Sequence, residues 1–381
     1  MMNLTTTKQD VEKVLLVGIY IKGSLQSDPL ESMNELSLLA KSAGASVKEK
    51  VIQVRSSIDP KYYVGKGKLE EINSIVEQKE IDTIIFDNEL SGLQVRNIAT
   101  RCDCKVIGRV ELILDIFANR AKTKEAKLQV EYAQLMYLLP RLVHMWSHLG
   151  RIKGGIGFRG PGEKQLETDK RLIKKRIFKV KSELEKFSVQ MKNRRKKRSG
   201  QKIISLVGYT NSGKSTLLNT LAKENIFTQD MLFATLDPSI RKAYIKNNLQ
   251  VLLVDTVGFI KNLPHQLVVS FKSTLDEIKH SDILLHVVDI TQENIYDQMT
   301  SVQKVLSELD ALSKPVIYVF NKTDVTSNPP VNPLVLQEKF ANSCYISAKN
   351  GDGIDQLKKM ICNFYSTRSN IDDFYVYRTP L

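Results

Sequence analysis

Gly208-Tyr-Thr-Asn-Ser-Gly-Lys-Ser215 follows the apolar run Ile203–Val207 and leads into the helix-forming stretch Thr216–Ala222. A buried strand, a glycine-bearing turn and a helix, in that order, are the context a phosphate-binding loop requires. Glycine lets the backbone aim N–H groups at phosphate oxygens, and the helix start adds the positive end of its dipole. Gly208, Tyr209, Thr210, Asn211, Ser212 and Gly213 form the expected loop, and Lys214, Ser215 and Thr216 open the helix. Lys214 is expected to pair with the β- and γ-phosphates, and Ser215 to offer its hydroxyl to Mg2+.

Three later segments choose the base and complete the metal site. Val251–Asp255 is an apolar strand ending in Asp255-Thr-Val-Gly258. An aspartate there reaches Mg2+, often through water, and the Gly258 N–H can meet the γ-phosphate. Pro315–Phe320 is a second apolar strand, running into Asn321-Lys322-Thr-Asp324. The Asp324 carboxylate can accept from both the N1–H and the exocyclic amine of guanine, a donor pair that adenine lacks. Ser347-Ala348-Lys349 follows a third short strand, where backbone groups can meet the guanine O6. Each fragment is weak alone; their order and spacing together predict GTP and GDP as ligands and GTP hydrolysis as the activity.

Phe233-Ala-Thr-Leu-Asp-Pro238 falls where the first switch belongs, which makes Thr235 the expected second hydroxyl ligand of Mg2+, with Thr228 as the alternative. The metal set is therefore Ser215, Thr235 and Asp255. Phe259 follows Gly258 at a position where many small GTPases place a glutamine to orient the attacking water. A phenyl ring cannot hydrogen-bond that water. Asn211 resembles the pattern of GTPases that bind K+ beside the phosphates, so K+-stimulated hydrolysis is expected. The catalytic set reads Lys214, Asn211, Thr235 and Gly258.

Upstream, the 381-residue chain has room for two or three domains. Val14–Ile21, Val47–Val54, Thr83–Phe86 and Cys104–Ile107 read as strands. Leu30–Ala43, stopped by Gly44, and Leu69–Gln78 and Leu93–Arg101 read as the helices between them. That alternation predicts a small parallel α/β domain over residues 1–119. Next, Leu128, Tyr132, Leu135, Leu139, Leu142, Trp146 and Leu149 recur in steps of four and three, as do Ile173, Ile177, Val180, Leu184, Phe187 and Met191. Two such seams predict an antiparallel helical hairpin over 120–198, with core helices of a larger domain as the alternative. Pro140 is expected to kink or break the first helix. The GTPase domain would span 199–366, with a tail at 367–381. The fold class is thus α/β: an N-terminal parallel α/β domain, a hairpin linker and a C-terminal P-loop domain.

Fifty-six Lys and Arg against 42 Asp and Glu give a net charge of +14, concentrated between Arg141 and Lys202. Such an excess favours a polyanionic partner, nucleic acid or an anionic membrane face. The connection at 150–162 interleaves glycines with Arg151, Lys153 and Arg159, and Lys164 follows. A pliable, cationic backbone suits phosphate contact, and Phe158 can stack on a base. A long solvated connection is the plainer alternative. The run Lys192–Arg198 suits either a helix C-terminus or a phosphate backbone. No apolar stretch reaches the length of a membrane-spanning helix and the first eleven residues show no targeting signal, so the chain reads as cytoplasmic and monomeric, with peripheral membrane contact as the variant. Cys102, Cys104, Cys344 and Cys362 have neither zinc nor redox spacing and read as reduced thiols.

The GTPase segments, with the FATLDPS and DTVGF switches, resemble the HflX family. Tyr63-Val-Gly-Lys-Gly-Lys68, Phe86-Asp-Asn-Glu-Leu-Ser91, Gly154-Gly-Ile-Gly157 and Gly160-Pro-Gly-Glu-Lys-Gln-Leu-Glu-Thr-Asp-Lys-Arg171 extend the resemblance from about Val14 to about Phe364. The resemblance implies a factor that binds the large ribosomal subunit and its RNA and splits or rescues ribosomes under stress, its glycine-rich loop reaching toward the peptidyl-transferase centre. Lys164 stands where the family often has threonine, and the short stretch after Tyr365 leaves no room for the further domain some members carry. Two other readings compete. One is an RNA remodeller, with Gly65-Lys-Gly67 as a second phosphate contact and ATP as an alternative nucleotide. The other is a switch that recruits a protein partner.

Overall fold

The computed structural model describes residues 11–23, 28–145, 161–198, 200–223, 232–233, 235–236, 239–246, 249–261, 264–326 and 329–366. They fall into two compact units, Met1–Asn119 with Gln134–Lys179, and Arg120–Ala133 with Val180–Leu381.

In the first unit, β1 (Lys13–Ile21), β2 (Ser46–Arg55), β3 (Thr83–Phe86) and β4 (Lys105–Gly108) form a parallel sheet in the order β2-β1-β3-β4. The central β1 is buried along nearly its whole length, which is why it reads as an unbroken apolar run and not as an alternation. Leu15, Val17 and Ile19 pack with Ile72, Val76, Ile84, Phe86 and Ile98. Helices α1 (Pro29–Ser42), α2 (Lys66–Lys79) and α3 (Gly92–Cys102) connect the strands as expected. Asp28 caps α1 through Leu30 N at 3.0 Å, and Ser91 and Gln94 close a reciprocal capping box on α3. The segment after β3 acts as a fastener. Asn88 accepts from Ile19 N and donates to Ile19 O, both at 2.9 Å, while Asp87 takes Arg109 NH1 at 2.7 Å and Tyr20 OH at 3.0 Å. A further helix, α4 (Arg109–Arg120), closes the stretch; the sequence reading assigned none there.

Two long helices follow, α5 (Lys124–Met145) and α6 (Pro161–Lys197). The helix α5 does not break at Pro140 and runs on through it. Proline removes the bond to the carbonyl four residues back. That residue, Met136, is exposed, where water can serve the freed oxygen. The most deeply buried stripe of α5 lies beside the expected seam. It runs through Ala126, Val130, Ala133 and Tyr137. Of the described seam positions Leu128 is below a tenth exposure and Tyr132, Leu135, Leu139 and Leu142 are half-buried, while Trp146 and Leu149 lie outside the described residues. Alanines let a neighbouring backbone approach closely, and a count of large apolar residues overlooks them. On α6 the expected seam holds: Val180 is 1% exposed and the other five positions are half-buried. The stretch Gly150–Gly160, with Arg151, Lys153, Phe158 and Arg159, lies outside the described residues, as does the Lys164 side chain. Pro161 and Gly162, read as loop, belong to α6.

The second unit carries a six-stranded sheet in the order β10-β9-β8-β5-β7-β6. Its members are β5 (Ile203–Val207), β6 (Ser239–Tyr244), β7 (Gln250–Asp255), β8 (Ile283–Asp289), β9 (Val316–Asn321) and β10 (Ser343–Tyr345), parallel except for the edge strand β6. Around it lie α7 (Lys214–Ala222), α8 (His265–Ser270), α9 (Lys272–Lys279), α10 (Ile295–Glu308), α11 (Pro333–Lys339) and α12 (Ile354–Ser366). Strand order reverses at β5, whose neighbours are β7 and β8. Ligands of open α/β sheets bind beyond the strand ends at such a switch point. The quoted glycine loop leaves β5 there.

Candidate nucleotide-binding site

The loop between β5 and α7 is shaped by residues few other types could replace. Gly213 has φ 94, and a Cβ there would stand 2.2 Å from Asn321 Nδ2. Gly258 presses so close that its Cβ would meet Thr210 Cα at 2.7 Å. Asn211 also takes a left-handed φ of 60. Lys214 is buried, and its ammonium donates to Gly208 O at 3.1 Å and Tyr209 O at 2.7 Å. Burial brings its pKa down to about 8, with Asp255 opposing and Lys322 reinforcing that shift.

Three residues from three segments converge beside it. Ser215 Oγ donates to Asp255 Oδ2 at 2.7 Å and lies 2.8 Å from Thr235 Oγ1. Burial raises the Asp255 pKa, against the pull of Lys214, Ser215 and Thr235. Its Oδ1 is buried without a hydrogen bond of good geometry. An under-used carboxylate oxygen next to two hydroxyls is the oxygen-donor set a hard cation such as Mg2+ takes. Thr228 lies outside the described residues.

The guanine segments assemble through Asn321. Its Nδ2 donates to Ser212 O at 2.9 Å and its Oδ1 accepts from Ala348 N at 2.9 Å, joining the glycine loop, β9 and the turn after β10. The Ala348 amide is thus engaged within the protein, and its carbonyl accepts from Thr220 Oγ1 at 2.7 Å. Asp324 Oδ1 accepts from Ser347 Oγ at 2.7 Å while the residue stays exposed, which leaves a carboxylate both held and reachable. Lys322 pairs with Asp289 at 2.7 Å. Lys349 is exposed in the turn.

Sequence reasoning missed two links. Thr210 Oγ1 accepts from Phe233 N at 2.9 Å, tying the first-switch segment to the glycine loop. Thr210 N donates to Phe259 O at 2.7 Å and Phe259 N donates to Gly208 O at 3.2 Å, so the second-switch segment is tied to the same loop. Phe259 is 1% exposed, and its ring serves the core, in keeping with the expectation that it orients no water. Neither link has a sequence signature, since both depend on backbone groups meeting across long separations.

The fold and these five segments define a P-loop GTPase. The chain matches family models described as GTP-binding GTPase N-terminal over residues 30–118, GTP-binding GTPase Middle Region over 120–198, and 50S ribosome-binding GTPase over 203–322. It is 43% identical to GTPase HflX of Flavobacterium psychrophilum over 97% of this chain and 92% of that protein. To GTPase HflX of Escherichia coli it is 43% identical over 91% of this chain and 81% of the relative. The crystal structure of SsGBP in complex with GDP superposes with a TM-score of 0.52 at 29% identity, over 94% of this chain and 99% of that one. The chain belongs to the HflX family of GTPases. It binds guanine nucleotides and hydrolyses GTP. Among the described residues no helix is long and apolar enough to cross a membrane.

Proposed function

We propose that the protein uses GTP to control its binding to the large ribosomal subunit, and that it splits or rescues ribosomes under stress. The observation that carries the switch is the meeting of Ser215, Asp255 and Thr235, one residue from the glycine loop and one from each switch segment. The ribosomal partner is supported by the family description of the GTPase domain and by the +14 charge.

In this reading the amides of Gly208, Tyr209, Thr210, Asn211, Ser212, Gly213 and Thr216 surround the phosphates, and Lys214 turns its ammonium from two loop carbonyls to the β- and γ-phosphates. Ser215, Thr235 and Asp255 hold Mg2+, which when bound offsets phosphate charge. Gly258 offers its N–H to the γ-phosphate and carries the second switch toward it. Asn321, Lys322, Asp324, Ser347, Ala348 and Lys349 enclose the guanine. Asn211 holds K+ in place of an arginine finger. GTP then favours the ribosome-bound arrangement and hydrolysis releases it. Arg151, Lys153, Arg159 and Lys164 contact ribosomal RNA from the middle region, and the protein works as a cytoplasmic monomer built as 1–119, 120–198 and 199–366 with a tail.

GTP turnover in KCl buffer, with and without purified large subunits, tests this. Strong stimulation by subunits is expected. Turnover indifferent to them would leave the GTPase standing and remove the ribosome as its partner.

A further inference from the structure

Asp289 ends β8 and is 5% exposed, too buried for a carboxylate without a task. Its two oxygens are divided. Oδ1 accepts from Thr291 N at 3.0 Å and Thr291 Oγ1 at 2.7 Å, a local turn that fixes the carboxylate. Oδ2 faces Lys322 Nζ at 2.7 Å, with Gln292 Nε2 at 3.4 Å. The exits of β8 and β9 are also joined by Ile290 N donating to Asn321 O at 3.2 Å. Lys322 itself stands at φ 69, a backbone conformation that an L residue keeps only when its surroundings impose it.

A lysine has a long, freely rotating stem, and a charged head left to water would let it wander. Here the head is anchored two residues before Asp324. We infer that Asp289 is a positioning residue for guanine recognition: it holds the Lys322 stem as a fixed wall of the base slot beside Asp324. The inference rests on the reading of Asn321–Asp324 as the guanine loop. In this inference Asp289 acts through Lys322 and not on the nucleotide itself.

The division of the two oxygens supplies the test. Asp289→Asn keeps an oxygen for Thr291 and removes the charge that Lys322 faces, so a residue that merely fastens the turn would tolerate it. Dissociation constants for a fluorescent GDP analogue and KM and kcat for GTP are measured on wild type, D289N, K322M, the D289N/K322M double variant and T291V, with thermal melting of each. The expected result is a roughly tenfold rise in Kd and KM for D289N with the loss falling on KM and not on kcat. The double variant should be no worse than K322M alone. T291V, at a half-exposed position, loosens the same carboxylate and should raise KM about threefold, which keeps the question answerable if D289N does not fold. Wild-type affinity in D289N, or in T291V where D289N does not fold, would overturn the inference, as would additive losses in the double variant. Asp324→Asn separates the two levels. A shift of preference from GTP to XTP supports the guanine-loop reading on its own, and no shift removes that reading and this inference with it.

Discussion

Arg195 Nε donates to Glu277 Oε1 at 2.8 Å, joining the end of α6 to α9, the second helix after the Gly258 turn. Glu277 is fully buried, and Arg198 NH1 adds a longer contact to Oε2 at 3.5 Å, an ion pair aligned too poorly for a hydrogen bond. A buried pair broken on one side leaves uncompensated charge, which costs more than the pair contributes. Glu277→Ala is therefore expected to lower unfolding free energy by about 3 kcal/mol, read by urea denaturation. A change below about 0.5 kcal/mol would show that the arginines find water instead.

Lys214 gives the site a pH dependence with a definite sign. Its pKa in the nucleotide-free protein is brought down to about 8 by burial, below the 10.5 of a free lysine. The unfolded chain thus binds more protons between those values, and this group's destabilisation, full below pH 8, is relieved as pH rises through that window. Binding runs the other way. Phosphate favours the ammonium, so nucleotide association takes up a proton above pH 8. Affinity for GDP should fall by up to about tenfold per pH unit there, and calorimetry in buffers of different ionisation enthalpy should record the uptake. A flat affinity between pH 8 and 9.5 would contradict the burial argument.

The segments of the candidate site are legible in the sequence wherever a residue acts by local pattern. The strand–loop–helix from Ile203 to Ala222, the aspartate ending β7 and Asn321–Asp324 all fall where the sequence places them. What escaped reading is tertiary. Asp289 meets Lys322, and Thr210 meets Phe233, across separations that no periodicity reports. The edge strand β6, Ser-Ile-Arg-Lys-Ala-Tyr, is too polar to look like a strand and is specified by pairing with β7. The most deeply buried stripe of α5 is not legible because Ala126 and Ala133 bury completely while adding little to an apolar pattern.

Phe259 cannot supply a water-orienting group, since its ring is buried and its backbone is engaged with Gly208 and Thr210. Under the proposed function Asn211 has the task of holding K+, a charge-stabilising group in place of an arginine finger. Turnover in KCl should exceed that in NaCl by at least about tenfold, a floor set below the roughly 100-fold that one preorganised charge-stabilising group contributes. Asn211→Ala should erase the difference. Equal rates in the two salts would sink the K+ assignment and leave the loop amides, Lys214 and Mg2+ as the proposed sources of the catalytic charge.

Arg151, Lys153 and Arg159 carry the sharpest test of the ribosomal reading, because they lie in sequence far from the glycine loop and from Asn321–Asp324. Cations at phosphates act through counterion release, so removing each one lowers the salt dependence of binding as well as its strength. Replacing all three by glutamine should leave intrinsic turnover in KCl unchanged and abolish stimulation by large subunits. The slope of log affinity against log salt should shrink by about two, at roughly 0.7 for each single-stranded phosphate no longer neutralised. The two readouts separate the possible causes. Abolished stimulation with an unchanged slope would mean that these residues act on protein or on the nucleotide site through the chain. A reduced slope with retained stimulation would place them on RNA but outside the path that signals to the switches.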